Sequence, residues 1–239
     1  MPARRSAPDE LRTRLLDVAL RMLEESGPEA LRARQLTAEA GTSTQAVYTL
    51  FGGMAGLFRE IVREGFVRFD RHVAGVPRTD DPVTDCFAQG MAYRDWALRH
   101  PQLYRLMFGL TGGTDRVHAE WDLTGAGMRS SIPEAQAAFD HLVRAVDRMR
   151  EAGRIRDIDP AAAAGQIWSA MHGYVLLEIA GYFGRESQGL TRVMAPLALN
   201  VMVGLGDERA AAERSGLRVI AALSARGDWP APPETRGRG

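Results

Sequence analysis

Apolar residues recur along this chain at intervals of three and four. Leu11, Leu15, Val18, Ala19 and Met22 fall on one face of a 3.6-residue repeat, which Gly27-Pro28 stops. Ser6 and Asp9 resemble a capping box ahead of it, and Pro8 suits its first turn. A short repeat over about 32–40 turns Leu36 and Ala40 inward and ends at Gly41. Ser43 then stands as N-cap to a third helix over about 44–50, with Val47 and Phe51 inward and Gly52-Gly53 as its stop. Phe58, Val62, Phe66, Phe69 and Val73 make one stripe over 54–74. Beyond GVPRTDDP (75–82) the repeats lengthen. The pattern predicts a helix from Asp81-Pro82 to His100, a short one from Pro101, and one from Pro133 to Gly153 with Leu142, Val143, Val146 and Met149 inward. Another runs from Asp159-Pro160 to about Ala180, and two more lie near 190–205 and 207–226. The Gly- and Thr-rich stretch 111–131 has no assignable period, and the Pro- and Gly-rich tail 228–239 is expected to be disordered.

The expected fold is all-α. A three-helix unit over 7–53 leads through a connecting helix at 54–74 into a larger helical body at 75–227. There is no strand pattern and no internal repeat. Hydrophobic content of 45% is ample for a core, and 25% charged residues is ordinary for a soluble chain. Formal net charge is zero and all 30 basic residues are Arg, so any nucleic-acid contact must rest on a local basic face. The single cysteine, Cys86, excludes a disulfide framework, and the five histidines (72, 100, 118, 141, 172) show no metal-ligand spacing. No apolar run reaches the ~20 residues of a membrane span. The charged N-terminus MPARRSAPDELRTR lacks the apolar centre of a secretory signal, so a cytoplasmic location is expected.

Two short helices joined through Gly41 have the pattern of a helix-turn-helix. The second must enter the major groove, so its outer face needs small or hydrogen-bonding residues. Thr42, Ser43, Thr44, Gln45 and Thr49 meet that need. Gln can pair bidentately with adenine, and Thr can bond a base or touch the thymine methyl. Tyr48 can reach a phosphate oxygen, while Arg32, Arg34 and an arm containing Arg4 and Arg5 supply positive charge.

On these residues the chain resembles the TetR/AcrR family of bacterial transcriptional regulators. The stretch LRARQLTAEAGTSTQAVYTLFGGMAGLF (31–58) carries the resemblance, through Ala40, Gly41, Ser43, Val47, Tyr48, Phe51, Gly52 and Leu57. It departs at Leu50, where the family often has His or Tyr, and at Met54, where it often has a phosphate-touching Lys. Both departures remove a polar phosphate contact. The backbone N–H groups of Gly53 and Met54 are expected to remain available there.

The resemblance implies a homodimer that binds double-stranded DNA at a palindromic operator, with a small-molecule effector in the body. The segment IWSAMHGYVLLEIAG (167–181) weakly resembles a Trp-x-x-x-His-Gly subgroup of that family's C-terminal domains. Candidate ligand contacts are Trp96, Tyr104, Met107, Phe108, Trp121, Phe139, Trp168 and His172, with Met91 and Met149 as further wall residues. The helices at 160–181 and 190–205 are the expected dimer surface, with Ala162 to Gly165, Ala170, Ala195 and Ala198 allowing close packing. At 207–226, a face of Leu217, Ile220, Ala221, Leu223 and Ser224 must dock somewhere. No P-loop, Rossmann glycine pattern, His-Glu-x-x-His or Gly-x-Ser-x-Gly is present, so no enzyme and no cofactor is expected. The rival reading is a helical small-molecule-binding or interaction protein with weakened DNA binding.

Overall fold

A computed structural model describes residues 7–111, 130–184 and 188–227. The predicted elements at Arg4, Arg5, Ser6 and Trp121 and in the tail 228–239 lie outside those residues. The regular elements among the described residues are all helical, with no strand. In order they form α1 (Ala7–Ser26), a 3-10 turn (Pro28–Ala30), α2 (Ala33–Glu39), α3 (Thr44–Phe51), α4 (Met54–Ala74), α5 (Pro82–Arg99), α6 (Pro101–Met107), α7 (Pro133–Glu151), α8 (Pro160–Ile179), a π turn (Leu190–Met194), α9 (Ala195–Leu205) and α10 (Arg209–Ala225). No helix among them is long and apolar enough to cross a membrane.

Chain stops act where backbone chemistry requires them. Gly27 ends α1 at φ 78, and its N–H reaches the Leu23 carbonyl at 2.8 Å. Gly41, at φ 63, makes the turn between α2 and α3, after which the Thr42 N–H returns to the Thr37 carbonyl at 2.9 Å. Asp159 caps α8 by accepting from the Ala161 N–H. Ser43 holds the N-cap position of α3 in extended backbone, but its side chain makes no capping hydrogen bond.

The described residues divide into two compact units, one of residues 7–71, 99–111 and 130–138 and one of 72–98, 139–184 and 188–227. Packing thus groups α6, the start of α7 and most of α4 with the N-terminal helices. In this first unit Leu15, Ala19, Met22, Leu23, Leu36, Val47, Phe51, Leu57, Ile61, Val62 and Phe66 are buried. Burying a side chain of this size stabilises by ~1.5–3 kcal/mol. Leu11 and Val18 of the predicted α1 face are only half-buried. Glu24 on α1 accepts the N–H groups of Gln102 and Leu103, the first orphan donors of α6. Burial raises its pKa, and those two hydrogen bonds draw it back.

The joint between α3 and α4 makes the closest approach at any described glycine. A Cβ on Gly56 would lie 1.6 Å from the Phe51 carbonyl oxygen, so no side chain fits there. Arg12 on α1 lays its guanidinium 5.2 Å from the centre of the Phe51 ring and pairs with Glu60 at 2.8 Å. One arginine thereby ties α1 to the end of α3 and the second turn of α4.

The second unit is organised by an ionic hub. Arg154, after α7, donates twice to Asp207, at 2.9 and 2.8 Å, and once to Asp81. Asp81 also accepts from the hydroxyls of Thr84 and Ser215 and from the Val83 N–H. Asp85 accepts from the N–H and the hydroxyl of Thr79 and from Arg148. The start of α5, the α7–α8 and α9–α10 connections and the middle of α10 thus share one polar cluster. Through it α10 docks on Ala212, Ser215 and Val219. Of the expected α10 face, Ile220 and Leu223 are half-buried and Leu217 is 63% exposed in the single chain, so that face does not cover the body as a whole. In α7, the inward residues are Ala135, Phe139, Ala145, Val146 and Met149, whereas Leu142 and Val143 are only half-buried.

Gly56→Ala should cost about 2–3 kcal/mol in urea unfolding, the upper range for a single substitution. Gly41→Ala should cost only ~1–2 kcal/mol, because its φ of 63 is unfavourable but nothing lies within 4 Å of the added carbon. Equal effects would show that the α3–α4 joint is not tight. Burial pushes the Asp81 carboxyl up, but hydrogen bonds from Ser215, Thr84 and Val83 and the Arg154 charge outweigh it and hold the pKa at about 2, against 3.8 unperturbed. Its contribution is therefore fully present above about pH 4 and lost as pH falls towards 2. Asp81→Asn should lose ~2 kcal/mol at pH 7, and a denaturation series should show that difference closing between pH 4 and 2.

Candidate nucleic-acid interface

Helix α3 shows two chemically distinct faces. Val47 is fully buried and Phe51 nearly so, and both pack inward as predicted. Ser43, Thr44, Gln45, Tyr48 and Thr49 are exposed, and Thr42 is half-exposed at the turn before them. Tyr48 is 62% exposed, so it does not fill the core. Arg32 occupies the N-cap of α2 and Arg34 lies in its first turn, both exposed. The candidate contact residues of α3 therefore share one uncharged, hydrogen-bonding surface, with threonine and glutamine where close approach to base edges requires short or planar side chains.

The turn after α3 corrects one expectation. The Gly53 N–H donates to the Val47 carbonyl at 3.4 Å and the Gly52 N–H to the Tyr48 carbonyl at 2.9 Å. Gly53 is thus occupied within the protein and is not a spare donor. The Tyr48 ring lies against it, 3.5 Å from where a Cβ would be, and the φ of 106 suits only glycine. Leu50 and Met54 are both half-buried.

The candidate ligand residues fall into both compact units. Tyr104 and Met107 are fully buried in the first, where Tyr104 lies 4.8 Å from Phe108 and Phe108 lies 5.7 Å from Phe66. Met107 and Leu103 close over Gly65, where a Cβ would sit 2.7 Å from the Met107 sulfur. Trp96, Phe139, Trp168 and His172 belong to the second unit. There Trp168 stacks on His172 at 5.0 Å and meets the Phe139 ring edge-on at 6.4 Å. The Tyr93 hydroxyl lies 3.2 Å from His172 Nδ1. Burial holds the His172 pKa down at about 4, so its imidazole is neutral at pH 7. Nearby in sequence, Arg94 and Glu178 form a bidentate, largely buried pair at 2.7 and 2.6 Å. Sequence reasoning named His172 but missed Tyr93, Arg94 and Glu178. The one signal available was Glu178 interrupting the apolar run GYVLLEIAGYF.

A cavity of about 380 Å³ opens beside the ionic hub, between Asp80, Asp81, Arg154, Arg214 and Arg218, and none of the predicted wall residues lines it. No group of three or more His, Cys, Asp or Glu with metal-binding geometry occurs among the described residues. Burial raises the Cys86 thiol pKa to about 12, which makes it unreactive.

Two family models match the chain. One, described as bacterial regulatory proteins of the tetR family, matches residues 15–61 and so contains α2 and α3. The other, a tetracyclin repressor-like C-terminal domain, matches residues 86–199. No curated protein sequence matches. Among solved structures, a protein of unknown function from Rhodococcus sp. RHA1 is 26% identical, with a TM-score of 0.66 over 87% of this chain and 100% of its own. RolR in complex with resorcinol is 14% identical, with a TM-score of 0.62 over 88% and 95%. A tetR-family transcriptional regulator from Pectobacterium atrosepticum is 20% identical, with a TM-score of 0.59 over 85% and 97%. The last two likenesses are of fold.

Proposed function

We propose that this chain, which belongs to the TetR family and is a DNA-binding transcriptional regulator, is a homodimeric repressor that leaves a palindromic operator when a small molecule binds its helical body. The observation that carries this reading is the exposed face of α3, with Thr44, Gln45, Tyr48 and Thr49 outward while Val47 and Phe51 anchor it from beneath. Gln45 and the threonines are assigned to base edges and Tyr48 to a phosphate, with Arg32 and Arg34 adding charge at the start of α2. A dimer supports the operator symmetry, since two reading helices one DNA turn apart require two half-sites.

The dimer surface is best supported on α8 and α9. Ala162, Gln166, Ser169, Gly173, Leu177 and Ala180 recur on one side of α8, and all are exposed except the half-exposed Gly173. Nothing lies within 4 Å of a Cβ on Gly173, or on Gly204 of α9. Leu177 and Val193 are 46% and 37% exposed. Such small-residue strips flanked by apolar side chains let helices of a second copy approach closely. Ala163 and Ala164 belong to the core instead, at 0% exposure.

The effector reading draws on the fold shared with RolR, which binds resorcinol according to its structure. In this chain the second unit offers the Phe139–Trp168–His172 aromatic series with the Tyr93 hydroxyl. An effector bound there would favour a dimer whose two α3 helices no longer match the groove spacing, a coupling of ~1–3 kcal/mol in systems of this kind.

Operator selection from a random duplex library, followed by anisotropy titration, tests the reading. The selected site should be palindromic. Gln45→Ala should cost ~1–3 kcal/mol and relax preference at one base pair per half-site, while Tyr48→Phe should weaken all duplexes alike. Gly173→Arg should yield monomers by light scattering and lose the operator. A site without symmetry, or a Gly173→Arg protein that stays dimeric, contradicts the corresponding part of the proposal.

A further inference from the structure

We infer that Arg59 supplies the phosphate-binding cation of the reading head, gripping the DNA backbone where it passes the α3–α4 joint. This rests on the DNA-binding reading above. Between Arg34 and Arg59 the chain contains no basic residue, so α3 and both its flanking turns carry no positive charge of their own. Duplex DNA presents a phosphate every ~1.7 Å of axis, and affinity for it comes largely from arginine and lysine that displace its counterions. A reading helix this neutral needs a cation held close to it by something rigid.

Arg59 is placed for that. It lies in the second turn of α4, it is exposed, and it makes no ion pair among the described residues. Its Nη2 sits 3.6 Å from where a Gly56 Cβ would be, the same point from which the Phe51 carbonyl is 1.6 Å away. The guanidinium therefore lies at the closed seam where α3 ends against α4. Tyr48 rests on Gly53 in the turn of that same joint. The neighbouring arginines are already engaged: Arg12 with Glu60, and Arg63 with Glu60 and Glu134. Arg59 is left with donors in a planar fork that suits a phosphate.

The seam also fixes position. Gly56 packs directly on the Phe51 carbonyl, and only Gly52 and Gly53 separate the two helices, so a cation on the second turn of α4 is held at a short offset from Gln45 and Thr49. A phosphate held there sets the depth and angle of the reading helix without specifying sequence. The role is distinct from base readout and predicts a different signature.

The test is a salt titration of the full-length protein on its selected operator and on a random duplex of equal length. Arg59→Ala, Arg59→Lys and Arg71→Ala are compared, the last being an exposed arginine near the far end of the same helix. Arg59→Ala should weaken both duplexes, leave base preference unchanged and flatten the slope of log affinity against log salt by ~0.9. Its deficit relative to wild type would then be about 3.5-fold larger at 50 mM than at 200 mM salt. Arg59→Lys should restore the slope, and Arg71→Ala should match wild type. Salt-sensitive wild-type binding with an unchanged slope in Arg59→Ala overturns the inference. A fall in melting temperature with the slope unchanged also overturns it, and assigns Arg59 to capping the carbonyl end of α3. If wild type itself binds without salt dependence, the DNA-binding reading fails, and this inference with it.

Discussion

The carbonyl of Phe51 occupies the space in which a side chain at position 56 would begin. That contact couples the helix that reads DNA to the helix that follows it. The same residue is held from its other side, since its ring is buried and lies under the Arg12 guanidinium. Arg12 in turn is neutralised by Glu60 on α4. Three helices therefore converge on one phenylalanine through three kinds of force. Burial contributes ~1.5–3 kcal/mol, the cation over the ring ~0.5–1 kcal/mol at a partly exposed site, and the steric exclusion at Gly56 fixes the geometry without adding attraction.

The second unit solves a different problem with different means. Its helices are rich in alanine and glycine, and α8 has small residues on several faces, so apolar packing alone specifies its neighbours loosely. Directional contacts supply the missing specificity. Arg154 ties Asp81 to Asp207 and Ser215, and Arg94 ties α5 to α8 through Glu178. Breaking either pair would leave a largely buried charge uncompensated, which is costly even where forming the pair gains little. The hub lies partly beyond residues 86–199, because Asp207 and Ser215 belong to the segment that carries α10. α10 is thus attached by the same polar cluster that orders the start of α5.

The helices were legible because their signals are local. Gly27-Pro28, Gly41, Asp81-Pro82 and Asp159-Pro160 bound helices where expected, since capping and left-handed backbone depend on residues a few positions apart. The reading face of α3 was legible for the same reason: one turn of helix separates Val47 from Phe51, and the residues between them must point elsewhere. Local reasoning reached these positions but not every bond made at them. Ser43 stands at the expected N-cap of α3, yet its side chain makes no capping hydrogen bond. The Gly53 N–H was read as free, yet it folds back to the Val47 carbonyl.

The sequence by itself determined the all-α class, the order and approximate ends of the helices, the inward residues of α3 and the chemistry of its outer face. Each follows from a 3.6-residue period or from a residue with restricted backbone. Only the tertiary structure decided that Tyr104 and Met107 pack with the N-terminal helices while Trp168 and His172 lie in the other unit. The same holds for which side of α10 is buried, and for Arg59 making no ion pair among the described residues while Arg12 and Arg63 are engaged. Those outcomes depend on contacts between residues far apart in the chain. An arginine's neighbours along the sequence do not reveal which carboxylate the fold will bring to it.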